Sequence, residues 1–484
     1  MFPLDRQSPT PLTDQVEARL CELMASGRLP AGARLPSIRQ LASTLAVSPQ
    51  TIVTAYDRLA ARGHIDSRGT AGFFVRAAAA PSDEAAAQLL EAGEEQEPVW
   101  LAQQANDQRA GRLLASSGAL PAAWLQDAIP AAAVQRALAN SAAGLASRCP
   151  PQGLPELRER IALLMRAQGM PVDAGRILTT YGATQAIDLI CRAFLQPGDT
   201  VLVEDPGYFL MFGRLRQQGL RVVPITRRVD GIDLAELEAA CHEHRPRLLF
   251  VQSVLHNPTG WGSSPGNLHR LLTLAQQHGF LIAEDDVHGH FHPGQATTRL
   301  AALAGFERVI YFSSFAKALS PALRLGYVAA DHALLRPLLR EKILTVLTTP
   351  ALNEYVMAEA LATGRWRKHL ERLQRKLVTA RNVCIRQLGE AGIAFDAPGE
   401  GGLFLWGRLP SATDADLLVQ DALRHGYVLA RGASFSADGS RPSPHIRFNV
   451  VLAQHLGLAA YLRERLFAQG EARAVLEGAL KISG

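Results

Sequence analysis

The chain has 484 residues, 48% hydrophobic and 20% charged, an ordinary globular composition with room for two to four domains at roughly 100–200 residues each. This excludes a wholly disordered, collagenous or disulfide-stapled chain, and no apolar run reaches the ~18 residues that a membrane-spanning helix needs. The five cysteines form no CxxC pair, so neither a disulfide framework nor a metal site is expected. Asp5, Arg6 and several prolines stand where a signal peptide needs an apolar stretch, which predicts a cytoplasmic protein. A net charge of +5 is too mild to establish nucleic-acid binding by itself. Of 50 Lys and Arg only five are lysines (Lys317, Lys342, Lys368, Lys376, Lys481), so a lysine in this chain is a marked choice.

Residues 1–76 hold nine Arg and six Asp or Glu. Ser37 with Gln40 forms a capping box that predicts a helix running to about Leu45. A tight turn, Ala46-Val47, follows, and Ser48 caps a second helix with Pro49 in its first position. The spacing in that helix puts Ile52, Val53, Tyr56, Leu59 and Ala60 on one face and Gln50, Thr51, Thr54, Arg58 and Arg62 on the other. Gly63 stops it, and a hairpin with a Gly-rich tip, Arg68 to Gly72, ends at Val75. This is the layout of a winged helix-turn-helix, whose second helix enters the DNA major groove by its N-terminus. The alternative is a small helical interaction module.

Residues 77–98 carry six acids and no base, with eight alanines between Ala77 and Ala92. Such a stretch buries too little to fold alone, and 77–112 reads as a linker. From 113 to 484 apolar strands, Gly/Pro turns and helices alternate, the α/β pattern.

Pro11 to Val75 resembles the GntR-type winged helix, on the residues Gly32 to Ala42, Val47 to Thr51 and Gly69 to Val75. The resemblance implies contacts to double-stranded DNA from Arg39, Ser48, Gln50, Thr51, Thr54, Arg68, Gly69 and Gly72. A homodimer reading two half-sites is expected.

Four spaced elements of the second region carry candidate chemistry. Thr179 to Gln185 joins an apolar strand to a helix expected from Ala186 to Leu195, and backbone N–H groups at such a junction bind phosphate. Glu204-Asp205-Pro206-Gly207-Tyr208 puts an aromatic ring past the strand Thr200–Val203. His256-Asn257-Pro258-Thr259-Gly260 and Glu284-Asp285-Asp286-Val287-His288 place polar groups past two further strands, where α/β folds bind ligands. Ser313 to Pro321 holds Lys317 among small apolar residues, where desolvation favours a neutral, nucleophilic amine.

In this order the four elements resemble the fold-type I aminotransferases, which use pyridoxal 5'-phosphate. The resemblance runs from about Leu120 to the C-terminus. It implies that Lys317 forms the internal aldimine, that Asp285 keeps the pyridine nitrogen protonated, that Asn257 bonds the ring O3′ and that Tyr208 stacks on the ring. It assigns the phosphate to Ala183, Thr184, Ser314 and Arg324, and a substrate carboxylate to Arg447. Two positions depart from the pattern. Val287 and His288 stand where relatives place a tyrosine near O3′, so His288 is the candidate substitute. Arg148 replaces a tyrosine that reaches a partner subunit's phosphate.

Joined, the halves resemble the MocR/GabR-like subfamily of GntR transcription regulators. The implied fold class is multi-domain: an α+β winged helix-turn-helix, then an α/β transferase-like domain with a mostly parallel sheet and a small α+β subdomain. The implied function is a DNA-binding regulator that senses an amino acid or amine by external aldimine formation at Lys317. A working aminotransferase with an accessory DNA-binding domain is the second reading, and a scaffold with a dead cofactor site the third. The absence of an arginine at Leu210 argues against a GABA-like ligand.

Overall fold

The computed structural model describes residues 3–6, 8, 10–26, 28–76, 100–102, 112–140, 148–294, 298–399, 401–411, 413–439 and 442–467. It divides into two compact units, Met1–Ala92 and Gly93–Gly484. Residues 77–99 and 103–111 of the expected linker, and Lys481, lie outside the described residues.

Among its described residues the first unit has three α-helices, α1 (Leu12–Ala25), α2 (Ile38–Leu45) and α3 (Pro49–Ala61), and a hairpin of β1 (Ile65–Ser67) and β2 (Phe73–Val75). Ser37 caps α2 by accepting from the Gln40 N–H at 3.3 Å, and Ser48 caps α3 by accepting from the Thr51 N–H at 3.2 Å. Ala46 makes the turn between them in the left-handed region, φ 52°. Ile52, Ala55, Tyr56 and Leu59 are fully buried, each contributing on the order of 1–3 kcal/mol. Val53 and Ala60, expected on that face, are only half-buried. The step of three and four residues from Ile52 leads to Ala55, and Val53 falls about 100° round the helix. Arg58 and Arg62 turn back to α1: Arg58 pairs with Asp14 at 2.6 Å and Arg62 with the buried Glu17.

The second unit holds an eight-stranded sheet in the order β3-β10-β9-β8-β7-β4-β5-β6. The strands are β3 (Ile177–Thr180), β4 (Thr200–Asp205), β5 (Arg221–Arg228), β6 (Gly231–Ile232), β7 (Leu248–Val251), β8 (Leu281–Asp285), β9 (Val309–Ser314) and β10 (Gly326–Ala329). Strands β5, β4, β7, β8 and β9 run parallel. β10 is antiparallel to both β9 and β3, so β3 shares their direction. Alternate residues enter different cores: Val201, Val203, Leu248 and Phe250 pack on one face, Leu202, Leu249 and Val251 on the other. A sheet buried on both faces explains strands that read as continuous apolar runs. A smaller sheet, β11 (Phe404–Arg408), β13 (His445–Asn449) and β12 (Ala430–Arg431), is antiparallel throughout.

Trp100–Ala102 fall inside the segment expected to be linker, yet they are helical and Leu101 is buried against Phe209, Trp406, Ala430 and Phe435. A tryptophan and a leucine after an Ala/Glu stretch supply the apolar surface that the stretch lacks. No helix among the described residues is long and apolar enough to cross a membrane.

Candidate functional site

In the first unit the residues expected at DNA lie at the surface. Arg39, Ser48, Gln50, Arg68 and Gly69 are exposed, and Thr51, Thr54 and Gly72 half-buried. Ser48 and Thr51 hydroxyls share a hydrogen bond at 2.8 Å, and the Thr54 hydroxyl donates to the Gln50 carbonyl at 3.0 Å. Gln50 is therefore the longest polar side chain at the start of α3. Arg68 lies over the Phe74 ring, 4.6 Å from its centroid, which holds a cation on the wing.

In the second unit the common strand direction brings the C-terminal ends of β3, β4, β7, β8 and β9 to one sheet edge, where open α/β sheets bind ligands. There a cavity of about 330 Å³ is lined by all ten residues expected to hold cofactor and substrate: Ala183, Thr184, Tyr208, Asn257, Asp285, His288, Ser314, Lys317, Arg324 and Arg447. Arg148 is exposed and not among the lining residues. The helix after β3 starts at Gly182, four residues before the expected Ala186, so Ala183 and Thr184 occupy its first turn. Gly182 takes φ 75°, a conformation open to glycine.

Lys317 donates from Nζ to the Gly118 carbonyl at 2.7 Å. Burial, then the Arg447 and Arg324 cations, lower its pKa to about 8 against the pull of Asp285. Asp285 is itself raised to about 7 by burial. Burial, then Lys317 and Arg447, hold His288 at about 3, so its ring is neutral. Burial raises the Tyr208 phenol to about 12. Arg447 sits in β13 between Trp406 of β11 and Ala430 of β12. Its guanidinium lies 4.4 and 4.7 Å from the Phe404 and Phe435 ring centroids and donates to Asn257 Oδ1 at 2.8 Å.

The residues fit pyridoxal phosphate. A Cβ at Gly182 would meet an Arg324 guanidinium nitrogen at 3.3 Å and Ser314 Oγ at 3.6 Å, so the glycine keeps open a cup of phosphate donors. Both ring nitrogens of His288 and Nε of Arg447 are buried with no hydrogen-bond partner among the described residues. Arg324 itself takes φ 46°, a strained conformation for a residue with a side chain.

Several cavity residues escaped sequence reasoning. Gln252 accepts from the Asn257 N–H at 2.7 Å and hydrogen-bonds Asp285, bridging two expected cofactor ligands. Ser116 and Gly118 come from the chain ahead of Leu120, and the Ser116 carbonyl accepts from Arg447 at 2.5 Å. Leu101 and Leu114 carry no chemical signature at all. Lys342, a second marked lysine, is fully buried but belongs to a structural cluster: it donates to Thr179 at 3.2 Å and Thr349 at 3.3 Å. Asp286 is likewise structural, paired with Arg299 and Tyr311 at 2.7 Å each.

Residues 12–75 match the bacterial regulatory proteins of the gntR family, and residues 113–456 match aminotransferase class I and II. The chain is 30% identical to the HTH-type transcriptional regulator YdcR of Escherichia coli (strain K12), over 90% of this chain and 94% of that protein. It is 28% identical to the probable rhizopine catabolism regulatory protein MocR of Rhizobium meliloti, over 88% of this chain and 87% of that protein. Among solved structures, LysN, an alpha-aminoadipate aminotransferase from Thermus thermophilus complexed with N-(5'-phosphopyridoxyl)-L-leucine, superposes with a TM-score of 0.69 at 26% identity. That match covers 81% of this chain and all of LysN. With a DNA-binding match, an aminotransferase match and a relative spanning both, the chain belongs to the MocR-type regulators, which join a GntR winged helix-turn-helix to a pyridoxal-phosphate aminotransferase fold.

Proposed function

We propose that the chain is a transcriptional regulator that senses an amine-bearing effector at Lys317. The observation that carries this is the convergence of ten expected residues on one cavity, in a chain that also holds a winged helix with Gln50 exposed on α3. Bound pyridoxal phosphate supplies an aldehyde that condenses with amines and a ring that accepts electrons. Lys317, its pKa lowered to about 8 by burial, would be the residue that holds that aldehyde and the amine for which an effector amine would exchange. Asp285 would pair with the ring nitrogen, and the opposite charge there would favour its ionised form. Asn257 and the neutral His288 would hold the ring oxygen, Tyr208 would cover the ring, and the first turn after Gly182 with Ser314 and Arg324 would take the phosphate. Arg447 grips the effector carboxylate.

Residues 1–76 act as the DNA-binding domain, 113–484 with Trp100–Ala102 as the sensing domain, and the remainder of 77–112 as the connection. Thr184 and Arg324 are exposed at the phosphate end, which suits a second copy of the chain closing that side. A homodimer also suits an operator of two half-sites. The compartment is the cytoplasm. The effector changes DNA affinity by binding one arrangement of the chain better than another.

The test is binding of the full chain to its own upstream DNA with and without amino acids. Lys317→Ala should abolish the visible absorption and the effector response while basal DNA binding stays within about threefold. An undiminished response in that variant refutes the sensing role. The aminotransferase reading has its own support, the LysN likeness. Steady transfer from an amino donor to a keto acid at ~1–10³ s⁻¹ would establish it instead.

A further inference from the structure

The cavity has more walls than the cofactor needs, and their chemistry narrows the effector. Three cations line it: Lys317, Arg324 and Arg447. On the functional reading above, Lys317 is taken by the aldehyde and Arg324 by the phosphate. Arg447 is then the cation left among the described lining residues for an acid group. Its Nη1 bonds Asn257 Oδ1 at 2.8 Å, and Asn257 is the residue assigned to the ring oxygen beside the reactive carbon. A carboxylate held there lies next to the reacting amine, the place of an α-carboxylate and not of one three carbons away.

Much of the rest of the wall is apolar. Leu101, Leu114, Ile187, Leu210 and Val428 line it, with Leu101 buried against Phe209 and Leu210 packed on the same cluster. The Ser116 hydroxyl is committed, donating to the Arg447 carbonyl and accepting from the Ala430 N–H at 2.9 Å, while Ser117 accepts from the Ala119 N–H at 3.3 Å. A side-chain carboxylate or ammonium would lose its hydration with no ionic partner among the described lining residues beyond those already assigned, a costly burial. A hydrocarbon side chain gains with every methylene buried.

We infer that the effector is an α-amino acid with one carboxylate and an apolar side chain of leucine to phenylalanine size, selected by the Leu101–Leu210 wall. This rests on the proposed sensing role and goes beyond it.

The experiment titrates the cofactor-loaded full chain with L-leucine, L-phenylalanine, L-glutamate, GABA and isoamylamine, following the visible absorption of the lysine-linked cofactor. Half-saturation by leucine or phenylalanine should come at least about tenfold below glutamate, GABA and isoamylamine. Glutamate or GABA binding as well as leucine overturns the inference. Leu210→Arg should move the leucine-to-glutamate preference at least about tenfold toward glutamate, and Leu101→Arg, on a separate chain segment, should do the same. A preference unmoved in both folded variants also overturns it. Absence of any visible absorption in the loaded wild type would refute the sensing reading itself, and this inference with it.

Discussion

Lys317 offers the sharpest quantitative test, because its setting changes how much nucleophile exists at neutral pH. A lysine near 8 is about 10% neutral at pH 7, whereas one at 10.5 is about 0.03% neutral, a difference of about 300-fold. The cause is mainly burial, aided by Arg447 and Arg324, with Asp285 opposing. The perturbation is pH. Cofactor-free chain is mixed with excess pyridoxal phosphate from pH 6 to 10, and the rate at which the visible band appears is followed by stopped flow. The rate should climb about tenfold per pH unit below about 8 and level off above it. Arg447→Met removes a neighbouring cation and should move the bend to higher pH. Asp285→Asn removes the opposing anion and should move it lower. A rate still climbing through pH 10, or a bend that neither variant shifts, would refute the assignment.

Gln50→Ala with Thr51→Ala should weaken specific DNA binding about 10-fold or more while leaving binding to random DNA within about threefold, by band shift at fixed salt; equal losses would make these residues positioning contacts only. Gly182→Ala puts a methyl group into the phosphate cup at φ 75° and should raise the cofactor dissociation constant at least about tenfold without unfolding the chain, read by absorbance and circular dichroism. Arg447→Met should weaken L-leucine by about 10–100-fold, one charge-assisted hydrogen-bonded pair, while isoamylamine changes little. Equal loss for both would place the carboxylate elsewhere.

The sequence alone determined what short-range rules govern. Ser37, Ser48, Pro49 and Gly63 delimit the two helices of the winged domain within a residue or two, because caps act on N–H groups two or three positions away. The marked Lys317 and the polar runs holding Tyr208, Asn257 and Asp285 were legible because parallel strands carry their ligands at their ends, whereas Arg447, inside a strand of the small antiparallel sheet, and the phosphate set were named by the family resemblance. Only the tertiary structure decided what depends on distant partners. Arg447 meets the Ser116 carbonyl across 331 positions of sequence, and Gln252 joins Asn257 to Asp285 from a strand end that carries no motif of its own. Leu101, read as part of the 77–112 linker, becomes a wall of the cavity. An apolar side chain carries no directional signal in a sequence, so its role is settled by which surfaces fold against it.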